Sequence, residues 1–259
     1  MARACRVGCR GRGVAVRVPL RLIEFHVAHD CNLTCVGCSH FSPFAKRQDV
    51  ERTELQRDLE AAGKRLAPEH VHIMGGEPLL NQQLPELLPL FRANFPDASI
   101  KVVSNGLLFL RAPSSMCEAL RENDIGLAVS VYPKVRLDLK AIEQRCAETG
   151  VRLEFWEQDT FLDFFDPEGP IDPVEARAHC PFDDACNIRA GRLFPCPVTA
   201  WAEFGGFPFD LSDGVELNAP AEELRSVLSK DRLTSLCKHC RPAPERRPHQ
   251  LGPRQYPIL

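Results

Sequence analysis

No stretch of this chain is apolar for the ~18–20 residues that a bilayer-spanning helix needs, which argues against a membrane protein. The N-terminus lacks the apolar block of a secretory signal, so a cytoplasmic location is expected. Charge of neither sign prevails. A net charge of −3 over 259 residues gives no clustered Lys and Arg surface for nucleic acid. Internal repeats beyond short alternating units are also missing. What remains, at 44% hydrophobic and 26% charged residues, is the composition of a globular chain long enough to bury a sizeable core.

Against that background the chain is rich in cysteine, with twelve. Without an export signal they are expected to be reduced, and clustered reduced thiols bind metal or do chemistry. Three stand at Cys31, Cys35 and Cys38, and five lie between residues 180 and 240. Cys5, Cys9, Cys117 and Cys146 are scattered. Two separated groups suggest two metal sites.

Residues 1–20, Arg- and Gly-rich and without period, read as a disordered leader. From Leu22 short apolar runs alternate with amphipathic segments. Strands are expected at 22–27, 71–74, 100–103, 127–131 and 151–155. Helices are expected at 53–66 (Thr53 as N-cap), 83–94, 114–122 and 138–149. This order predicts an α/β fold, a partial (β/α) barrel of parallel strands over residues 21–160, because five repeats fall short of a closed eight-fold barrel. Residues 161–241 read as a small Cys-rich module, with a loop at 161–173, a hairpin at 187–194 turning on Ala190-Gly191, and a helix at 220–236. Residues 242–259 read as a Pro-rich tail with little to bury.

Cys31-x3-Cys35-x2-Cys38 directly follows the first strand, where parallel barrels place active-site loops. Three thiolates suit a [4Fe–4S] cluster with one open iron. Zinc with His29 or His40 as a fourth ligand is the alternative. Gly75-Gly76-Glu77-Pro78 follows the second strand, Ser104-Asn105-Gly106 the third, and Ser130 lies on the fourth. Each falls at a successive strand end.

This ordered set resembles the radical S-adenosylmethionine (SAM) superfamily over roughly residues 22–156. The resemblance implies that Cys31, Cys35 and Cys38 hold the cluster and that Gly75, Gly76, Glu77 and Pro78 hold the methionine amino group of SAM. It places Ser104, Asn105 and Ser130 near the ribose and carboxylate, and Val151–Phe155 against adenine. The position before the third cysteine, often aromatic in the family, is Gly37 here, so His40 or Phe41 takes that role.

Cys180, Cys196, Cys237 and Cys240, with the Gly-Arg-Leu-Phe-Pro-Cys-Pro stretch at 191–197, resemble the family's SPASM or twitch auxiliary-cluster module. Five cysteines there fit one further [4Fe–4S] cluster, with Cys186 the alternative to Cys180. Cys117 and Cys146 fit buried apolar positions. A fully ligated second cluster implies electron transfer, hence oxidation. The layout resembles radical SAM dehydrogenases acting on aminocyclitols. A sugar or aminocyclitol carbinol is the expected small-molecule substrate, with a flavodoxin- or ferredoxin-type electron donor as partner. Epimerisation, peptide crosslinking and a non-catalytic structural zinc protein are the alternatives. Base candidates are His29, His40, His72, Arg152 and Glu154.

Overall fold

The protein is described by a computed structural model for residues 17–46, 49–182 and 184–252. Cys5, Cys9 and the leader through residue 16 lie outside the described residues, as does the tail from 253.

Five strands and four helices alternate first: β1 (Val18–Ala28), α1 (Arg52–Arg65), β2 (Leu66–Gly75), α2 (Leu84–Asn94), β3 (Ser99–Ser104), α3 (Ser114–Glu122), β4 (Gly126–Val131), α4 (Leu139–Thr149) and β5 (Leu153–Glu157). Then follow β6 (Thr160–Phe165), α5 (Pro173–Ala178), β7 (Ala185–Arg189), β8 (Arg192–Phe194), α6 (Pro197–Trp201), β9 (Val215–Glu216), α7 (Ala221–Ser226) and β10 (Cys240–Pro248). One sheet runs β5-β4-β3-β2-β1-β7-β8-β9, with β1 to β5 parallel in order. This is the α/β architecture of a partial, open (β/α) barrel.

Alternation along β1 sorts its side chains. Ile23, Phe25 and Val27 enter the main core, where Phe25 meets Phe91 of α2 edge to face at 5.4 Å. Leu22, Glu24 and His26 therefore occupy the opposite face, and Leu22 and Glu24 border a cavity there.

Several boundaries differ from those expected, each for a local reason. Residues 18–20 belong to β1 rather than to the leader. Glu51, not Thr53, caps α1, its carboxylate accepting from the N–H groups of Thr53 at 2.8 Å and Glu54 at 3.4 Å. α4 ends on Gly150 in the left-handed region (φ 73°), and the Val151 N–H returns to the Cys146 carbonyl at 3.0 Å. That closure delays β5 to Leu153. The expected helix at 220–236 stops at Ser226, and the Ser229 hydroxyl then accepts from the Asp231 N–H in a turn at 3.1 Å.

Two corrections matter for the site. The segment read as a loop contains β6, and the segment read as a tail with little to bury forms β10, antiparallel to it. Beyond β10 the chain crosses the cysteine loop: the Val36 N–H donates to the Gln250 carbonyl at 2.9 Å and the Gly252 N–H to Thr34 at 2.8 Å. The hairpin β7–β8 turns on Ala190 and Gly191 as expected, both at positive φ. β7 pairs in parallel with the free edge of β1, so the barrel sheet continues into the Cys-rich region.

Candidate active site

Cys31, Cys35 and Cys38 border one cavity of about 350 Å³ at the strand ends. Gly75, Gly76, Ser104, Asn105 and Ser130 border it too, whereas Glu77 and Pro78 do not.

The loop that holds the thiols is built to direct donors at sulfur. Phe41 adopts a left-handed conformation (φ 53°, ψ 18°), and its N–H donates to the Cys38 carbonyl at 3.1 Å, which folds the backbone of His40–Ser42 back around Cys38. The Leu33 N–H approaches the Cys31 sulfur at 3.4 Å, and Asn105 Nδ2 stands 3.8 Å from it. His249 Nε2 lies 3.2 Å from the Cys35 sulfur, its ring stacked on Tyr132 at 4.6 Å. Gly37 is required sterically: at φ +80° a Cβ would stand 3.2 Å from the Leu162 carbonyl of β6. The positive φ beside β6 disfavours an aromatic side chain at this position. Of the two proposed substitutes, His40 borders the cavity, while Phe41 packs with Phe164 and Phe207 outside it.

Burial pushes the Cys35 thiol up to about 12 and raises Cys31 and Cys38 as well, with neighbouring thiols adding to the effect on Cys31 and Cys35. Thiols this reluctant to ionise become thiolates when a metal replaces the proton. Among the described residues, no three His, Cys, Asp or Glu side chains converge on a single ion. Three half-buried thiols bordering one cavity, with donors beside Cys31 and Cys35, fit a multi-iron cluster.

Glu77 differs from the open carboxylate expected to meet an ammonium. It is fully buried, and its oxygens accept from Ser104 Oγ at 2.7 Å, the Leu79 N–H at 3.0 Å and the Asn105 N–H at 2.8 Å. It fastens the end of β2 to the end of β3. Gly75 and Gly76 press on the cysteine loop: a Cβ on either would sit 2.0 Å from the carbonyl of Ala28 or Asp30. The glycine backbone, not the carboxylate, therefore faces the cavity. Val151 and Phe155 belong to the main core, and β5 presents Trp156 to the cavity instead.

Cys180, Cys196, Cys237 and Cys240 border a second, small cavity of about 20 Å³. Cys180 follows α5, Cys196 precedes α6, and the other two flank the turn into β10. Thr199 Oγ1 lies 3.1 Å from the Cys196 sulfur and 3.2 Å from Thr234 Oγ1, which lies 3.3 Å from the Cys237 sulfur. Burial pushes Cys196 up to about 12. These four thiols, bordered by hydroxyls, suit a closed four-ligand site. Cys186 is elsewhere, 1% exposed in the main core beside Ile188 and Leu193. Cys117 and Cys146 are also buried there. Phe182 lines both cavities and separates them.

Of the base candidates, His40 and His72 border the larger cavity. His29 faces a different one, while Arg152 and Glu154 pair outward with Asp124 and Lys101. Two site residues were missed in the sequence. His249 lies in a segment with no apolar period. Glu24 sits within the apolar run Leu22–Val27, although the polar Glu24 and His26 at every second position signal a distinct face.

Residues 26–146 match the radical SAM superfamily, so this part of the barrel is a radical SAM domain. The crystal structure of BtrN in complex with AdoMet and 2-DOIA shares the fold, with TM-score 0.53 and 16% identity over 87% of this chain and 94% of that one. Streptococcus suis SuiB bound to S-adenosylmethionine aligns less fully, at TM-score 0.39 and 21% identity over 54% of this chain and 34% of that one. Native anSMEcpe with bound AdoMet and Cp18Cys peptide gives 0.38 and 22% over 53% and 42%. No curated protein matches the chain. Among the described residues, no helix is long and apolar enough to cross a membrane.

The His249 contact carries a prediction. His249→Ala removes the ring nitrogen 3.2 Å from the Cys35 sulfur and the ring that stacks on Tyr132. Iron loss to a chelator is expected to accelerate roughly ten-fold, the usual scale for an outer-shell partner. An unchanged rate would make the contact incidental.

Proposed function

We propose that this chain is a radical SAM oxidoreductase acting on the carbinol carbon of a sugar or aminocyclitol. The observation that carries the reading is the convergence of Cys31, Cys35 and Cys38 with three strand ends on one cavity, and of four further thiols behind Phe182. Cys31, Cys35 and Cys38 hold a [4Fe–4S] cluster with one open iron, and Cys180, Cys196, Cys237 and Cys240 hold an auxiliary one. The bound cluster and SAM together supply a 5′-deoxyadenosyl radical that takes a hydrogen atom from substrate.

The chain's own residues position and enclose. The Gly75-Gly76 backbone receives the methionine ammonium of SAM. Asn105 and Ser130 offer hydrogen bonds to its carboxylate and ribose, and Trp156 offers an apolar face to adenine. The segment formed by β6, β10 and His249–Gly252 packs across the cysteine loop and narrows the approach to it. The first electron comes from a flavodoxin- or ferredoxin-type donor. The second set of four thiols supports oxidation over rearrangement, because a site with four protein ligands accepts an electron more readily than a substrate.

The test is isotope transfer. Anaerobically reconstituted protein with dithionite, SAM and a panel of sugars and aminocyclitols deuterated at their carbinol carbons is expected to place deuterium in 5′-deoxyadenosine and to form the carbonyl. Deuterium transfer with inversion of the carbon would indicate an epimerase. Transfer from a precursor peptide alone would indicate a peptide maturase.

A further inference from the structure

Oxidation of a carbinol requires a group that takes the hydroxyl proton, and among the described residues the cavity wall holds one acidic side chain placed to do so. Glu24 lies on β1, 7% exposed, on the face opposite the main core, and it borders the same cavity as Cys31, Cys35 and Cys38. Its neighbours fix how it is held. Trp201 Nε1 can only donate, and it lies 2.7 Å from Asn187 Oδ1. That contact sets the orientation of the Asn187 amide, so Nδ2 must point the other way, and it donates to Glu24 Oε2 at 3.0 Å. His40 Nε2 stands 3.8 Å from the same oxygen. Among the described residues no hydrogen bond reaches Oε1. One oxygen is anchored and the other is open.

We propose that Glu24 receives the proton of the substrate's reacting hydroxyl and that Asn187 is the residue positioning its carboxylate. The inference rests on the carbinol reading of the cavity. Once the carbinol hydrogen atom has left, the substrate is a carbon-centred radical bearing a hydroxyl. The O–H bond breaks, its proton forms a new O–H bond on Glu24 Oε1, and the carbon–oxygen bond becomes a carbonyl. The one electron released goes to an iron–sulfur cluster acting as a one-electron acceptor. Glu24 adjoins the side from which that electron leaves, since Pro197 beside Cys196, and Phe182, which borders both cavities, line the cavity with it.

Other titratable groups around Glu24 serve less well. His72, its register partner on β2, is pushed down to about 4 by burial and then by Lys101, so it sheds a proton at neutral pH. His40 Nδ1 is tied to His26 Nε2 at 2.7 Å. Cys186 on β7 is pushed up to about 12 by burial and so stays a neutral thiol. Burial raises Glu24 itself to about 7, close to where an acid–base group works best at neutral pH. Ionised above that value and neutral below it, it makes product formation rise with pH through about 7.

The experiment compares the reconstituted parent with Glu24→Gln. The parent is expected to show a carboxylic-acid carbonyl band in the infrared that fades as pH rises through about 7 and is missing from the variant. The difference spectrum separates it from Asp58, which titrates near 6. With perdeuterated glucosamine as probe beside the deuterated panel, Glu24→Gln is compared with the parent for carbonyl product formed per labelled 5′-deoxyadenosine. Carbonyl product should fall about 100-fold, the scale of a lost general base. Glu24→Asp, which keeps an ionisable group one methylene short, should recover part of that rate and the pH dependence. Equal infrared titrations, or carbonyl formed by Glu24→Gln at the parent rate, would overturn the assignment. A parent that labels no 5′-deoxyadenosine from any carbinol would refute the substrate reading, and the infrared titration would still judge Glu24.

Discussion

Replacing Cys31, Cys35 or Cys38 with alanine is expected to reduce 5′-deoxyadenosine formation to the background of iron-free protein. The expectation follows from coordination number. Three thiolates around four irons leave one iron open for SAM, and two thiolates leave the cluster without a stable seat. Neither histidine read as a fourth ligand compensates: His29 faces another cavity, and His40 is bonded to His26. Cys117→Ala, on α3 and away from both cavities, serves as the control that should retain full cleavage. Cleavage at the parent rate in any of the three variants would remove that residue from the site.

The second large effect concerns the other thiols. Alanine at Cys180, Cys196, Cys237 or Cys240 is expected to lower the iron content from about eight to about four per chain while SAM is still cleaved without turnover. Cys186→Ala should behave differently. Its sulfur lies in the main core, so the variant should keep its iron and lose about 1–3 kcal/mol of stability, as small core truncations do. Iron analysis and melting curves on the five variants distinguish the two roles. A Cys186 variant that loses half its iron would exchange its place with Cys180.

The barrel was legible because periodicity carried it. Apolar strands at regular spacing predict the order β1 to β5, and the glycines and cysteines fall at the strand ends. The covering segment was not legible. β10 reads Cys-Arg-Pro-Ala-Pro-Glu-Arg-Arg-Pro, with no apolar alternation, and its pairing with β6 breaks register between Cys240 and Glu245. Prolines are tolerated there because only one edge of β10 is paired. The hairpin β7–β8 declares itself by its turn, but its docking on β1 is a tertiary choice that local sequence does not encode. Glu77 shows a further limit: a carboxylate beside two glycines suggests a ligand, whereas its partners Ser104 and Asn105 come from the next strand end and consume it.

The most direct measurement is iron, sulfide and zinc content of anaerobically reconstituted protein, followed by dithionite, SAM and detection of 5′-deoxyadenosine. About eight irons per chain with SAM cleavage is the expected result for two four-iron clusters. About four irons with cleavage would retain the enzyme and withdraw the second cluster. Zinc without iron, and no cleavage after reconstitution, would contradict the account at its centre.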